Sequence, residues 1–91
     1  MAIIVRIPGP LRQLTEGKAE VEIEAKDVTE CLDKLGSRFP TLKERLWDDK
    51  GQIHRYINVY VNGDDVRFLQ KLATPLKPND EVSIVPAVAG G

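Results

Sequence analysis

Residues 82–91 of the chain read Val-Ser-Ile-Val-Pro-Ala-Val-Ala-Gly-Gly. Val82 and Ile84 share one face of a predicted strand, which is expected to end at Pro86 because proline has no amide hydrogen to donate to a neighbouring strand. The residues that follow carry short side chains or none, so we expect a domain of residues 1–86 followed by a flexible tail of residues 87–91. Residue types alone leave two interpretations open: an ordinary frayed chain end, or a slim, apolar tail that threads a narrow channel and presents its α-carboxylate at the far end.

Composition limits the class of protein. The chain has 91 residues, which is the size of one small domain with a modest core. Its hydrophobic content of 42% and charged content of 30% are typical of a soluble globular protein. A net charge of -1 gives no general basic face, so nucleic acid is not expected as a partner. No apolar run has the length of a membrane span, and the single cysteine cannot form an internal disulfide, so we expect a cytoplasmic protein with no membrane partner.

Two short strands are predicted at the start of the chain. Apolar residues recur at every second position before the Pro-Gly-Pro break at 8–10 and again between residues 21 and 25. The segment 11–17 between them is expected to be a loop or a single turn, and the short connection favours a hairpin. The second strand carries glutamates at positions 20, 22 and 24. We interpret them as a solvated outer face that discourages edge pairing rather than as a metal site.

The main helix is predicted from Asp27 onward. Asp27 and Glu30 fit a capping box, and Pro40 ends the helix. Apolar residues at helical spacing form one stripe along it: Val28, Cys31, Leu32, Leu35 and Phe39.

The remaining chain predicts a second helix and further strands. A capping-box pattern at 41–44 opens a short helix that runs through residue 47. Alternating apolar residues at 57–61 predict a strand, and the Asn-Gly pair at 62–63 is a strong turn signal, so residues 66–68 are predicted to return as a short strand. This order predicts an α+β roll, in which a mixed sheet of four to five strands carries the main helix across one face.

The reactive side chains form no recognisable active site in the sequence. Cys31 lies on the apolar stripe and is expected to pack in the core rather than act as a nucleophile. His54 has no second ligand at a metal-binding spacing, and the acidic pairs at 48–49 and 64–65 are expected in turns. No glycine-rich phosphate loop occurs. We therefore expect no catalytic residue, no metal and no cofactor bound by this chain, and do not predict an enzyme.

Tyr60 and Val85 are predicted to lie on the sheet face away from the helix, because Val59 and Ile84 occupy the face toward it. Exposed apolar residues on adjacent strands indicate a partner-binding patch. Scattered surface hydrophobic residues are the alternative interpretation.

The chain resembles the MoaD/ThiS family of ubiquitin-like sulfur carriers, whose fold is the β-grasp. The resemblance extends over almost the whole chain. It is carried by Leu-Arg-Gln-Leu-Thr at 11–15, by Ile-Asn-Val-Tyr-Val-Asn-Gly at 57–63, by residues 76–82 and by Pro-Ala-Val-Ala-Gly-Gly at 86–91.

The resemblance implies a chemistry for the tail. An E1-like adenylyltransferase would use ATP to adenylate the carboxylate of Gly91, and sulfur would then displace AMP to leave a thiocarboxylate. Gly90, with Ala89 and Val88, would thread the partner's channel, where a larger side chain would clash. The resemblance also places Tyr60 and Val85 in the partner-binding patch, with Arg67 and Phe68 as further candidates.

Within the family, residues 54–62, 65–68 and 72–74 are most similar to the carrier that supplies sulfur for cysteine biosynthesis. The expected sulfur acceptor is therefore a cysteine synthase-like enzyme. One alternative is the small subunit of molybdopterin synthase, bound to the large subunit, although that protein usually has an aromatic residue where this chain has Val85. Two others are a protein modifier that forms isopeptide bonds through Gly91 and a β-grasp binding module with an inert tail.

Overall fold

Five strands form one mixed sheet in the computed structural model, which describes residues 2–54 and 57–86. The strands are β1 (Ile3–Arg6), β2 (Glu20–Ile23), β3 (Ile57–Val61), β4 (Asp64–Asp65) and β5 (Glu81–Pro86). The α-helices are α1 (Val28–Arg38) and α2 (Pro40–Leu46), and three 3-10 helices span Gly9–Thr15, Val66–Phe68 and Lys71–Ala73. The predicted tail, 87–91, lies outside the described residues, so the domain boundary after residue 86 stays a prediction.

The strand order across the sheet is β2-β1-β5-β3-β4. β1 and β2 form the predicted antiparallel hairpin, and β5 lies between β1, to which it is parallel, and β3, to which it is antiparallel. The segment that contains α1 and α2 connects β2 to β3 across the sheet. A mixed sheet that holds a helix on one face in this order is the β-grasp, so the predicted fold class is confirmed.

The start of α1 is fixed by two side-chain contacts. Asp27 is extended, and its Oδ1 accepts a hydrogen bond from the amide of Glu30 at 2.8 Å. The Glu30 side chain accepts in return from the amide of Lys26 at 2.9 Å, one residue earlier than in a standard capping box. The predicted N-cap is therefore confirmed.

The core lies between α1 and the inner face of the sheet. The stripe predicted on the helix is buried along its length, and Val28, Cys31, Leu32 and Leu35 are fully buried. The inner face of the sheet contributes Ile3, Val5, Val21, Ile23, Ile57, Val59, Val61, Val82 and Ile84. Each large aliphatic side chain buried in this way contributes about 1.5–3 kcal/mol relative to exposure.

The second helix starts earlier than predicted. α2 begins at Pro40, directly after Phe39, and no side chain caps it, so the capping box predicted at Thr41 and Glu44 is wrong. Proline is favoured in the first turn because its missing amide hydrogen would have no partner there. Pro40 thus ends α1 and starts α2.

The predicted return strand at residues 66–68 is also wrong. The hairpin turn at Asn62 and Gly63 forms, with φ of 51° and 90°, but β4 consists of Asp64 and Asp65 alone. The Asp65 carboxylate then accepts a hydrogen bond from the amide of Arg67 at 2.8 Å and starts a 3-10 helix. The segment 11–17, predicted as a loop or turn, contains most of another 3-10 helix, Gly9–Thr15.

The β2 edge of the sheet is covered by two side chains from α1. Lys34 Nζ donates to the carbonyl of Glu24 at 2.7 Å, and an Arg38 guanidinium nitrogen donates to the carbonyl of Glu22 at 3.2 Å. Their cationic heads occupy the acceptors that another strand would use. The outward glutamates are exposed, and Glu20 is paired with Arg6 at 2.8 Å.

Replacing Asp27 with alanine should destabilise the fold, because the amide of Glu30 loses its acceptor. The expected loss is about 1 kcal/mol, which lowers Tm by about 4–8 °C in a chain of this size. Thermal unfolding followed by circular dichroism measures it. The matched control is Asp33→Ala on an exposed position of the same helix, where the expected change is within about 0.5 kcal/mol. Equal losses in the two variants would contradict the capping role.

Cys31 should make stability depend on pH in alkaline solution. Burial raises the pKa of its thiol from 9.0 to about 12. Below pH 9 the thiol is protonated in both states, whereas between pH 9 and 12 only the unfolded chain releases the proton, so the folded state loses stability as the pH rises. The free energy of unfolding should fall by about 1 kcal/mol per pH unit more steeply in the wild type than in Cys31→Ala.

The Cys31→Ala variant should itself be less stable than the wild type below pH 9, by about 1 kcal/mol, because a fully buried atom is removed. Chemical denaturation at several pH values gives both quantities. Parallel pH profiles for the two proteins would show that the thiol is accessible to water and would overturn its assignment to the core.

Candidate functional site

The root of the tail is held at the end of the central strand. β5 extends to Pro86, the last described residue of the chain, and Pro86 lies opposite Ile57 of β3. β1 pairs with β5 only as far as Ser83, so the last residues of β5 pair with β3 alone. Residues 87–91 therefore start from a fixed point at one end of the sheet. The predicted roles of Val88, Ala89, Gly90 and Gly91 concern residues outside the described part of the chain.

The outer face of the sheet brings Tyr60 and Val85 together, as predicted. In the register of β3 and β5, Asn58 lies opposite Val85 and Tyr60 lies opposite Ser83, so Tyr60 and Val85 are diagonal neighbours on the face away from α1. Val85 is 41% exposed and Tyr60 is half-buried. This pair, the Tyr60–Val85 patch, is the apolar centre of that face next to the tail root.

Arg67 is positioned beside this patch by Asp65. Tyr60 lies opposite Asp65 in the register of β3 and β4, and Asp65 Oδ2 accepts from Arg67 Nη2 at 2.8 Å. The guanidinium also contacts both carboxylate oxygens through Nε at 3.2 Å. These hydrogen bonds lower the pKa of Asp65, and they raise that of Arg67. Phe68 follows directly and is 84% exposed, so its ring has no place in the core.

A pocket that the sequence did not predict lies next to these residues. It has a volume of about 290 Å³ and is lined mainly by Ile53, Ile57, Val59, Val66, Lys71 and Leu72. Its walls come from β3, two 3-10 helices and the segment before residue 55. No local motif joins these separate segments, and the only signal in the sequence is that Leu72 stands apolar in an irregular region.

The residues that could have acted in catalysis are instead buried in the core or form hydrogen bonds that hold the backbone in place. Cys31 is fully buried, and His54 connects α2 to β3 through backbone hydrogen bonds to Leu46 and Ile57 at 2.9 Å. Asp48 accepts from the amides of Gln52 and Lys50, which lowers its pKa and fixes the loop. Within residues 2–54 and 57–86, no three His, Cys, Asp or Glu side chains converge in a way that could hold a metal ion.

The helices α1 and α2 are short, at 11 and 7 residues. None in the described ranges has the length and apolar composition needed to cross a membrane.

Comparisons with known proteins agree on one family. The model of the ThiS family matches residues 5–91. Sulfur carrier protein CysO of Mycobacterium tuberculosis is 40% identical over 93 residues, which cover all of both chains.

Two solved structures extend this likeness to the fold. A chain in the crystal structure of the Amycolatopsis orientalis BexX/CysO complex is 44% identical, with a TM-score of 0.89 over 99% of this chain and 100% of that one. The solution structure of small archaeal modifier protein 1 from Methanosarcina acetivorans is 31% identical, with a TM-score of 0.87 over 99% of this chain and 96% of that one. The ubiquitin-like β-grasp, inferred above from the strand order, is thus shared with both. From the match to residues 5–91 and the full-length identity, this chain belongs to the ThiS family.

Proposed function

We propose that this chain is a sulfur carrier that works through its C-terminal carboxylate. The observation that carries the proposal is the full-length similarity to sulfur carrier protein CysO, together with a family match that extends to residue 91 and so includes Gly90 and Gly91. The end of β5 supports it, because Pro86 anchors the tail root at the end of the sheet while the sequence beyond it stays small and apolar.

The proposed chemistry has two steps. A carboxylate is a poor electrophile, so an E1-like partner first joins the Gly91 carboxylate to AMP from ATP and releases pyrophosphate. A sulfur nucleophile then attacks the acyl carbon and AMP leaves, which gives a thiocarboxylate. This chain supplies the reacting carboxylate and the slim Gly90–Gly91 end, while the ATP site and the acid–base groups belong to the partner. It is a carrier and not a catalyst.

We propose cysteine biosynthesis as the destination of the sulfur. The support is the similarity to CysO over all of both chains. The acceptor would be a cysteine synthase-like enzyme that takes the thiocarboxylate into its active site. The small subunit of molybdopterin synthase is an alternative role with the same tail chemistry. A stable complex with a molybdopterin synthase large subunit would favour that role.

A second candidate function is protein modification. It is favoured by the likeness to small archaeal modifier protein 1, which is 31% identical and shares the fold. In that role the activated Gly91 would form an isopeptide bond with a lysine of another protein. Both functions begin with the same adenylation, and they differ in whether sulfur or an amine displaces AMP.

The Tyr60–Val85 patch is the proposed contact for the activating partner. It lies on the outer face beside the tail root, and an enzyme that encloses residues 87–91 must approach this end of the sheet. Arg67 and Phe68 extend the contact, because Asp65 holds Arg67 next to Tyr60 and Phe68 is exposed.

Replacing Gly91 with phenylalanine should abolish sulfur loading without changing Tm. Intact-mass measurement after incubation with ATP, sulfide and the host's E1-like enzyme should show an oxygen-to-sulfur increase on the C-terminal peptide of the wild type and none in the variant. The matched control is Gly9→Ala, whose added Cβ would meet no atom within 4 Å, and it should load normally.

The same experiment separates the alternatives. A large fall in Tm in the Gly91 variant would mean that the tail is structural, and normal loading would refute the proposed chemistry. Higher-mass adducts in cell lysate that disappear when Gly91 is deleted would favour the modifier role.

Replacing Val85 with aspartate should weaken activation by the E1-like enzyme. A charge at the centre of an apolar contact is expected to raise the KM for adenylation by about tenfold. Pyrophosphate release measures the rate, and Tm should change little because Val85 is 41% exposed. The control, Thr41→Asp, adds the same charge at an exposed position of α2 and should leave KM unchanged. Equal KM values for Val85→Asp and the wild type would remove the patch from the contact.

A further inference from the structure

The two sides of the sheet differ in whether their backbone hydrogen-bonding groups are covered. The β2 edge is covered by Lys34 and Arg38. β3, near the opposite edge, pairs with β5 over its whole length but with β4 only at Tyr60 and Val61. In the described part of the chain, residues 57–59 therefore have no strand partner on the β4 side. An uncovered edge is a template for a strand from another molecule.

The backbone of β3 is oriented for such an addition. Asn62 donates its amide hydrogen to the carbonyl of Glu81 on the β5 side. Because antiparallel pairs alternate, Asn58 and Tyr60 also turn their backbone groups toward β5. Ile57 and Val59 turn theirs the other way, and the Ile57 amide is already used by the carbonyl of His54. The backbone of Val59 thus faces the open side.

The pocket lies along this open stretch of β3. Ile57 and Val59 form one wall, and Ile53, Val66 and Leu72 complete an apolar lining. Its volume of about 290 Å³ is at the lower limit of small-molecule sites. It is suited to one or two aliphatic side chains that project from a strand laid along the edge.

The charge at the rim of the pocket favours an acidic occupant. Arg67 and Asp65 neutralise each other through their paired hydrogen bonds. Lys71, which also lines the pocket, is exposed, and no described residue forms a hydrogen bond or ion pair with its ammonium group. The Lys71 backbone has a φ of 53°, an unusual conformation for a residue with a side chain. Among the described residues, the pocket rim therefore carries one uncompensated positive charge, that of Lys71.

The pocket is continuous with the tail root through Ile57, which lines the pocket and lies opposite Pro86. We propose that an extended, acidic segment of the protein that takes up the C-terminal tail pairs with β3 along residues 57–59. It places an aliphatic side chain in the pocket and a carboxylate against Lys71. The identity of the partner rests on the proposed function, whereas the docking of an acidic strand at this edge does not.

Two synthetic peptides with the same apolar pattern and opposite charge test the docking site. They are acetyl-TVTDT-amide and acetyl-TVTKT-amide, in which the valine and the charged residue are two positions apart and so project from the same face of a strand. Each is titrated into the full ¹⁵N-labelled chain and followed by amide chemical shifts. The acidic peptide should give saturable shifts at Ile57, Val59, Lys71 and Leu72, with a Kd on the order of 1 mM as expected for so short a ligand. The basic peptide should bind about two- to fivefold more weakly, the range of an exposed ion pair.

Charge reversal of Lys71 provides the second measurement. Lys71→Glu should bind the basic peptide more tightly than the acidic one, so that the preference is inverted. Lys18→Glu, the matched control in an exposed turn before β2, changes the net charge equally and should keep the preference for the acidic peptide. The same preference in Lys71→Glu as in the wild type would overturn the role of this lysine.

Three outcomes would overturn the docking site. They are the absence of saturable shifts, shifts confined to the Tyr60–Val85 patch, and a change at the amides of Lys71 and Leu72, away from the new chain end, when the chain is cut after Pro86, which would identify residues 87–91 as the occupant. The chain cut after Pro86 also separates the two proposals. It cannot be adenylated at Gly91, yet it should bind the acidic peptide as the full chain does.

Discussion

The burial of one apolar sheet face against α1 is the interaction on which the rest of the structure depends. Val5 on β1 and Val82 on the adjacent central strand β5 are fully buried together with Leu32 and Leu35 of the helix. A chain of this length buries only a modest core, so few of these contacts are dispensable. Because α1 covers this inner face, the side chains of the opposite face remain available to solvent and to partners. The positions of the Tyr60–Val85 patch and of the tail root both follow from this division.

Local sequence patterns were sufficient for the elements that are regular along the chain. The apolar stripe from Val28 to Phe39 gave the buried face of α1, and Asp27 gave its N-cap. Alternation gave the inner and outer faces of β3 and β5. The patterns were not sufficient where a single side chain redirects the backbone. Asp65 does this when its carboxylate takes the Arg67 amide, and proline at 40 does it by starting α2 without a side-chain cap. The parallel pairing of β1 with β5 joins residues far apart in sequence, and no local pattern encodes it.

Some features of the candidate site could likewise be predicted from local patterns, and others could not. Tyr60 and Val85 could be placed on one face from alternation alone, because both strands have one buried face. The role proposed for Gly91 came from resemblance, since residue types alone are consistent with an inert end as well. The pocket could not be predicted, because Ile53, Val59 and Leu72 come from segments that only the folded chain brings together. The contrast between a covered β2 edge and an open stretch of β3 is likewise a property of the tertiary structure.

The position of β5 in the sequence determines when the sheet can be completed during synthesis of the protein. Of the described strands this one comes last in the sequence, yet it separates β1 from β3 at the centre of the sheet. While the chain is being made, β1 and β2 have no parallel neighbour and the apolar side of α1 has no complete surface to cover it until residues 81–86 leave the ribosome. Completion of the sheet therefore requires β5 to pair with β1, which is far away in the sequence, and such long-range pairings form slowly. A chain that stops before residue 81 lacks both the central strand and residues 87–91, so β1 and β3 have no strand between them. Any molecule that has completed the sheet therefore already contains β5 and Pro86, from which residues 87–91 continue.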